Sequence, residues 1–239
     1  MDTLKSTVSV VCISDTHNST PIVPPGDILI HAGDLTERGT PDELRSAVQW
    51  VASLPHPVKI VVAGNHDKSL DKKFCDRELL NHCEIDWAAA GIIYLEHSAT
   101  EITVRQRSFT VFGSPFTPEY GNWAFQYPQA KLLPARAHEV WASIPSQADI
   151  LRIRDVRPIL HVFGHVHGGR GVETLRWDPA AKASRWMTSK LLSKILSPRQ
   201  LFPGRGIPPG GRGHSLLVNA SIQSGQRGAA LNEPVIVDI

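Results

Sequence analysis

Four short apolar runs in this sequence end alike, each reaching a glycine or serine and then a side chain of metal-ligand type. They read Val8-Ser9-Val10-Val11-Cys12-Ile13-Ser14 before Asp15, and Ile28-Leu29-Ile30-His31-Ala32-Gly33 before Asp34. The other two are Val58-Lys59-Ile60-Val61-Val62-Ala63-Gly64 before Asn65 and Ile159-Leu160-His161-Val162-Phe163-Gly164 before His165. Continuous β-branched and aliphatic runs of this length suit strands buried on both faces. They predict an α/β chain in which mixed sheets pack between helices, with the four polar ends gathered at one sheet edge.

Between the second and third runs, Thr40-Pro41-Asp42-Glu43-Leu44 combines a capping-box pair, Thr40 with Glu43, and proline at the first helical position. A helix over about 41–54 follows, its apolar stripe being Leu44, Ala47, Val48, Val51 and Leu54. The resulting βαβ unit places ligands in the crevice beyond the carboxyl ends of the strands. Further along, Ile92-Ile93-Tyr94-Leu95 reads as a strand, and Glu101–Val104 with Phe109–Phe112 as a hairpin around Arg105-Gln106-Arg107. Ser215-Leu216-Leu217-Val218-Asn219 and Val235-Ile236-Val237-Asp238 read as two more strands. All of this is compatible with a single domain over 1–239.

Charge and composition narrow the class. The formal net charge of +2 over 239 residues makes neither nucleic acid nor an acidic membrane the default partner. No apolar run approaches the roughly 20 residues a bilayer requires, and Met1-Asp2-Thr3-Leu4-Lys5 lacks a signal-peptide pattern. Cys12, Cys75 and Cys83 are an odd number without a close pair, which argues against a disulfide framework and for a reducing compartment, cytoplasm or nucleus. One stretch differs: residues 176–212 carry eight basic side chains against Asp178 alone. It reads as a basic surface insertion, with a helix possible over 181–196 and a loop at 203–211; a patch for an anionic substrate or partner is the sharper alternative.

Asp15 and His17 are two apart at a strand end, where the period of two points both side chains the same way. Asp34 offers two oxygens with which to bridge two cations, Asn65 offers a neutral oxygen, and His165 and His167 offer imidazole nitrogens. Mixed O and N donors favour Mn, Fe or Zn over Ca or Mg.

Taken together, Asp15-Thr16-His17, Gly33-Asp34, Gly64-Asn65-His66-Asp67 and Gly164-His165-Val166-His167 resemble the signature of the calcineurin-like metallophosphoesterases. The likeness runs from about residue 8 to the C-terminus and is nearest to the small metallophosphoesterase-domain proteins of animals and fungi. It implies a four-layer fold of mixed sheets packed face to face and flanked by helices. It also implies two divalent ions, one held by Asp15, His17, Asp34 and His167, the other by Asp34, Asn65 and His165. In such sites the ions lie roughly 3.5–4 Å apart and share a hydroxide that attacks phosphorus. His66 would be the catalytic acid for the leaving oxygen rather than a ligand, with Asp67 orienting its ring.

One element of that signature is missing. Relatives carry a strand reading approximately D-I-L-x-T-H-G-P-P, whose histidine completes the second metal site, whereas here Asp149-Ile150-Leu151 runs straight into Arg152-Ile153-Arg154-Asp155-Val156-Arg157-Pro158. Adjacent parallel strands need a crossover of about a dozen residues, so 149–151 cannot be a full parallel neighbour of the strand at 159–163. A strand near 149–158 is therefore either deleted or rebuilt. His161 lies four residues before His165 within a strand, about 13 Å away, and His138 falls in a helical pattern; neither replaces the lost ligand. Two functions follow from this set. The first is metal-dependent hydrolysis of a small phosphorylated substrate, above all a phosphodiester such as a cyclic nucleotide. The second is a degenerate phosphoesterase that binds a nucleotide or a protein.

Overall fold

The computed structural model of the protein describes residues 7–128, 140–142, 144, 145, 148–150, 158–176, 214–224 and 230–239. His138, and the basic stretch with its helix and loop from residue 177 to 212, lie outside the described residues.

The four apolar runs are strands. β1 (Ser9–Ile13), β2 (Ile28–Ala32) and β3 (Val58–Val62) lie side by side and parallel, with β4 (Ile93–Tyr94) beyond β3 and β12 (Val235–Asp238) antiparallel on the outer side of β1. Helix α1 (Pro41–Ser53) crosses between β2 and β3 and has the N-terminus its sequence predicts. Thr40 accepts from the Glu43 N–H, and Glu43 reaches back to the Thr40 backbone. It ends at Leu54, whose extended backbone stops the helix one residue short of the expected boundary.

Burial follows the strand alternation on both faces. Val11, Ile13, Leu29 and Val61 pack under Leu44, Val48 and Val51 of α1. Val10, Cys12, Ile28, Ile30 and Ile60 face the opposite way, against a second sheet. Each such aliphatic side chain contributes about 1.5–3 kcal/mol on burial, so the ligand-bearing strand ends are anchored by two cores at once.

The second sheet contains β10 (Gly171–Arg176), β11 (His214–Asn219) and β9 (Leu160–Phe163), in that order, with β11 parallel to β9. The hairpin β5 (Ser98–Val104) and β6 (Arg107–Gly113) joins it through one residue, because Ile150 forms parallel bridges to Val111 of β6 and Leu160 of β9. The short segment at 149–150 is thus neither a full strand nor absent. Asp149 and Ile150 keep its place in the sheet, with the Phe112 N–H donating to the Ile150 carbonyl and the Leu160 N–H to the Asp149 carbonyl. Nine residues between Ile150 and Leu160 are too few for a crossover, which limits the contact to one bridge on each side. Further elements are helix α2 (Lys72–Glu78), the two-residue strands β7 (Thr117–Pro118) and β8 (Gln126–Tyr127), and two single 3-10 turns, Lys68–Leu70 and His167–Gly169.

Candidate metal centre

The polar residues converge as their positions at the strand ends predict, but by a different local route. A continuing strand does not aim Asp15 and His17. Asp15, His17, Asn18, Asp34 and His165 all have left-handed backbone, with φ between 44° and 70°. For residues other than glycine this conformation costs about 1–3 kcal/mol each, and it persists only where the surroundings enforce it. Here the loops enforce one another: the Asp15 N–H donates to the Gly33 carbonyl at 2.9 Å, the His17 N–H to Asp34 at 3.1 Å and the Asn18 N–H to Leu35 at 2.9 Å. The His165 N–H donates to Asp15 Oδ1 at 2.8 Å, tying the loop after β9 to the one after β1. The close approach explains two glycines, since a Cβ at Gly64 would collide with the Asp34 carboxylate and one at Gly164 with Asp15 and Ser14.

Donor atoms of Asp15, His17 and His167 lie within 4.8 Å of one another, as do those of His17, Asp34 and His66. His17 Nε2 stands 3.4 Å from His167 Nε2, which is 3.3 Å from Asp15 Oδ1. The other nitrogen of His17, Nδ1, faces two acceptors, the Thr36 carbonyl at 3.2 Å and the Glu37 carboxylate at 3.3 Å. That nitrogen therefore carries the proton, and Nε2 presents a lone pair to the cluster. Asn65 Oδ1 and His165 Nδ1 meet at 2.8 Å on the neighbouring side.

The electrostatics favour a cation. Burial, then the neighbouring carboxylates Asp67 and Asp15, hold the Asp34 carboxyl well above its usual range. Burial also pushes the Asp15 carboxyl up, but bonds from His167 and the Ser14 hydroxyl outweigh it and leave the group below its ordinary value. The His17 imidazole is lowered by burial and by His66, while the bond to Asp15 raises His167. Two buried carboxyls close to each other, with imidazole nitrogens of His17 and His167 beside them, form a set that a divalent ion would satisfy.

One further sequence expectation needs correction. Asp67 does not orient the His66 ring: its carboxylate is fully buried and accepts from the N–H groups of Thr36, Leu35 and Gly64 and from the Thr36 hydroxyl. The His66 ring is instead held at Nδ1 by the Glu37 carbonyl, 2.7 Å away. The His66 ring lies beside the ligand cluster, 4.5 Å from that of His17 and perpendicular to it. Other participants went unread in the sequence. Ser14 bonds Asp15 Oδ2 at 2.6 Å, and Asn219, buried at the end of β11, donates to the Val166 carbonyl and so holds the loop bearing His165 and His167. Asn219 ends an apolar run just as the four principal ligand residues do, and that signal was available.

The sequence pattern of the calcineurin-like phosphoesterases matches residues 8–192, more than half of the chain. The chain belongs to that family. A protein of Emericella nidulans named probable rhamnogalacturonate lyase C is 37% identical over 99% of this chain, which spans 25% of that protein. The alignment has 270 positions against 239 residues here, so at least 31 positions exist in the relative alone. Human metallophosphoesterase domain-containing protein 1 is 36% identical over 68% of this chain and 61% of its own length. The chain thus spans a quarter of one of these two relatives and about three fifths of the other. Among solved structures, phosphopantetheinyl hydrolase from Mycobacterium tuberculosis aligns over 95% of both chains with a TM-score of 0.47 and 14% identity.

Proposed function

We propose that this phosphoesterase-family chain hydrolyses small phosphodiesters, cyclic nucleotides among them, with divalent metal ions and with His66 as general acid. The observation that carries the reading is the juxtaposition of Asp15, His17, His167 and Asp34 with the His66 imidazole. Asp15, His17, Asp34 and His167 would hold one ion, and Asp34, Asn65 and His165 the other. When bound, such ions polarise the phosphoryl group and lower the pKa of an attacking water.

The chain's own residues supply the rest. The Glu37 carbonyl keeps the His66 proton on Nδ1 in the neutral ring, so Nε2 is the atom that takes up and delivers the catalytic proton. As the P–O bond breaks, its electron pair goes to the leaving oxygen, which accepts that proton. Asp67 acts at one remove, clasping the Asp34 loop to the Asn65 loop through Leu35, Thr36 and Gly64.

Turnover of bis(p-nitrophenyl) phosphate and of cyclic nucleotides by chelator-stripped protein, before and after Mn²⁺ addition, tests the proposal. Activity restored by the metal and abolished in Asp34→Asn supports it; no metal-dependent turnover of any phosphoester refutes it. The missing His-Gly-Pro-Pro segment favours a second reading, in which the chain binds a nucleotide or a protein without turning it over. Nucleotide binding without hydrolysis at saturating metal would select that reading.

A further inference from the structure

The His66 ring is held on three sides, and only one of the three partners comes from the signature segments. The Glu37 carbonyl holds Nδ1, His17 meets the ring edge-on, and the indole of Trp123 stacks against it with centroids 4.4 Å apart and planes 28° from parallel. Among the described residues Nε2 has no protein hydrogen bond, so this packing leaves free the one atom the proposed acid uses.

Trp123 is itself firmly placed. It precedes Ala124 and Phe125, both buried, and the Ala124 N–H donates to the carbonyl of Asn65, one of the metal-ligating candidates. The Phe125 N–H donates at 2.7 Å to Asp71, the residue that also caps α2. On the other side Asn122 accepts from Arg77 of α2 at 2.9 Å. The Lys68 ammonium, two residues beyond His66, lies 4.5 Å from the centre of the same indole, a cation–π contact that further restrains the ring. A chain segment more than 50 residues from His66 is therefore clipped to the ligand loop and to the helix behind it, with its indole against the imidazole.

We infer that Trp123 is a positioning residue for the acid step: its indole fixes the plane of the His66 imidazole so that Nε2 meets the leaving oxygen. The inference rests on the proposed role of His66. Misplacing a catalytic group by about 1 Å costs on the order of a hundredfold in rate, while a flat aromatic surface of any kind preserves the stacking.

The test compares two phosphodiesters of the same charge, one with a p-nitrophenolate leaving group that needs little protonation and one with an alkoxide that needs it fully. Trp123→Ala should lower kcat on the alkyl diester by about tenfold or more and on the nitrophenyl diester by less than about threefold. Trp123→Phe should restore most of the difference, and Trp123→Ala should have no further effect in a His66→Ala background. In metal-free protein, the His66 ring-proton resonances, identified by their loss in His66→Ala, should move downfield in Trp123→Ala as the indole ring current disappears. Should Trp123→Ala not fold, Trp123→Leu takes its place. Equal losses on both substrates, or additive losses in the double variant, would overturn the inference. If His66→Ala itself shows no dependence on the leaving group, the acid role of His66 is what fails.

Discussion

Replacing Asp67 by asparagine separates two roles that its position beside His66 suggests equally. In the structure its Oδ1 accepts from the Thr36 N–H at 2.9 Å and the Thr36 hydroxyl at 2.7 Å, and its Oδ2 from the Gly64 N–H at 2.8 Å and the Leu35 N–H at 3.2 Å. An asparagine has one acceptor oxygen. With that oxygen toward Gly64 and Leu35, the amide can donate to the Thr36 hydroxyl, but the buried Thr36 N–H loses its partner. An orphaned buried donor costs about 1–3 kcal/mol, and each surviving bond loses about 1 kcal/mol when its acceptor is no longer charged. Part of this is returned, because burial already disfavours the Asp67 anion and its charge pushes the Asp34 carboxyl up. The net destabilisation should be about 2–4 kcal/mol, which for a chain of this size lowers Tm by roughly 5–15 °C. Thermal and urea unfolding of metal-free Asp67→Asn, with turnover measured per folded molecule well below Tm, provides the assay. An unchanged Tm combined with a hundredfold loss of turnover would refute the reasoning and return Asp67 to the role of orienting His66.

His66→Ala should cost about 10²–10⁴ in turnover while bound metal, read by elemental analysis, stays within a factor of two; metal lost in proportion to activity would make His66 a ligand. The ion held by Asp15, His17, Asp34 and His167 should survive dialysis better than the one held by Asp34, Asn65 and His165, which has one ligand fewer. Metal content nearer one than two per chain checks this, and two equally retained ions refute it. Burial holds His31, bonded to Thr16, at a pKa of about 4, against an ordinary value near 6.5. The unfolded chain therefore takes up this proton first, and stability that is complete above about pH 6.5 is lost as pH falls toward 4, by about 3 kcal/mol in all. Urea unfolding at pH 7.5 and pH 5 should show this slope, and His31→Gln should lose it. Gly164→Ala should abolish metal binding at the Asp15 site, because the new methyl meets the Asp15 carboxylate; isothermal titration with Mn²⁺ measures the loss.

What the sequence determined by itself is what short-range physics encodes. A capping box and a proline select the start of α1 within a few residues, and uninterrupted aliphatic runs select strands with a core on each face. Three of the runs lie side by side and parallel, so the convergence of Asp15, Asp34 and Asn65 follows from that packing, whereas His165 comes from the second sheet and joins them through tertiary contact. The orientation of those side chains was decided elsewhere. The left-handed backbone at Asp15, His17, Asp34 and His165 is costly in isolation, and bonds between loops far apart in the chain sustain it. The same holds for the Glu37 carbonyl on His66, for Asp67 turned inward, for Ile150 bridging two strands at one residue and for Trp123 against the imidazole. None of these contacts has a period or a local partner. Each forms because the two cores bring separate segments within hydrogen-bond or van der Waals distance, and only the assembled tertiary structure does that.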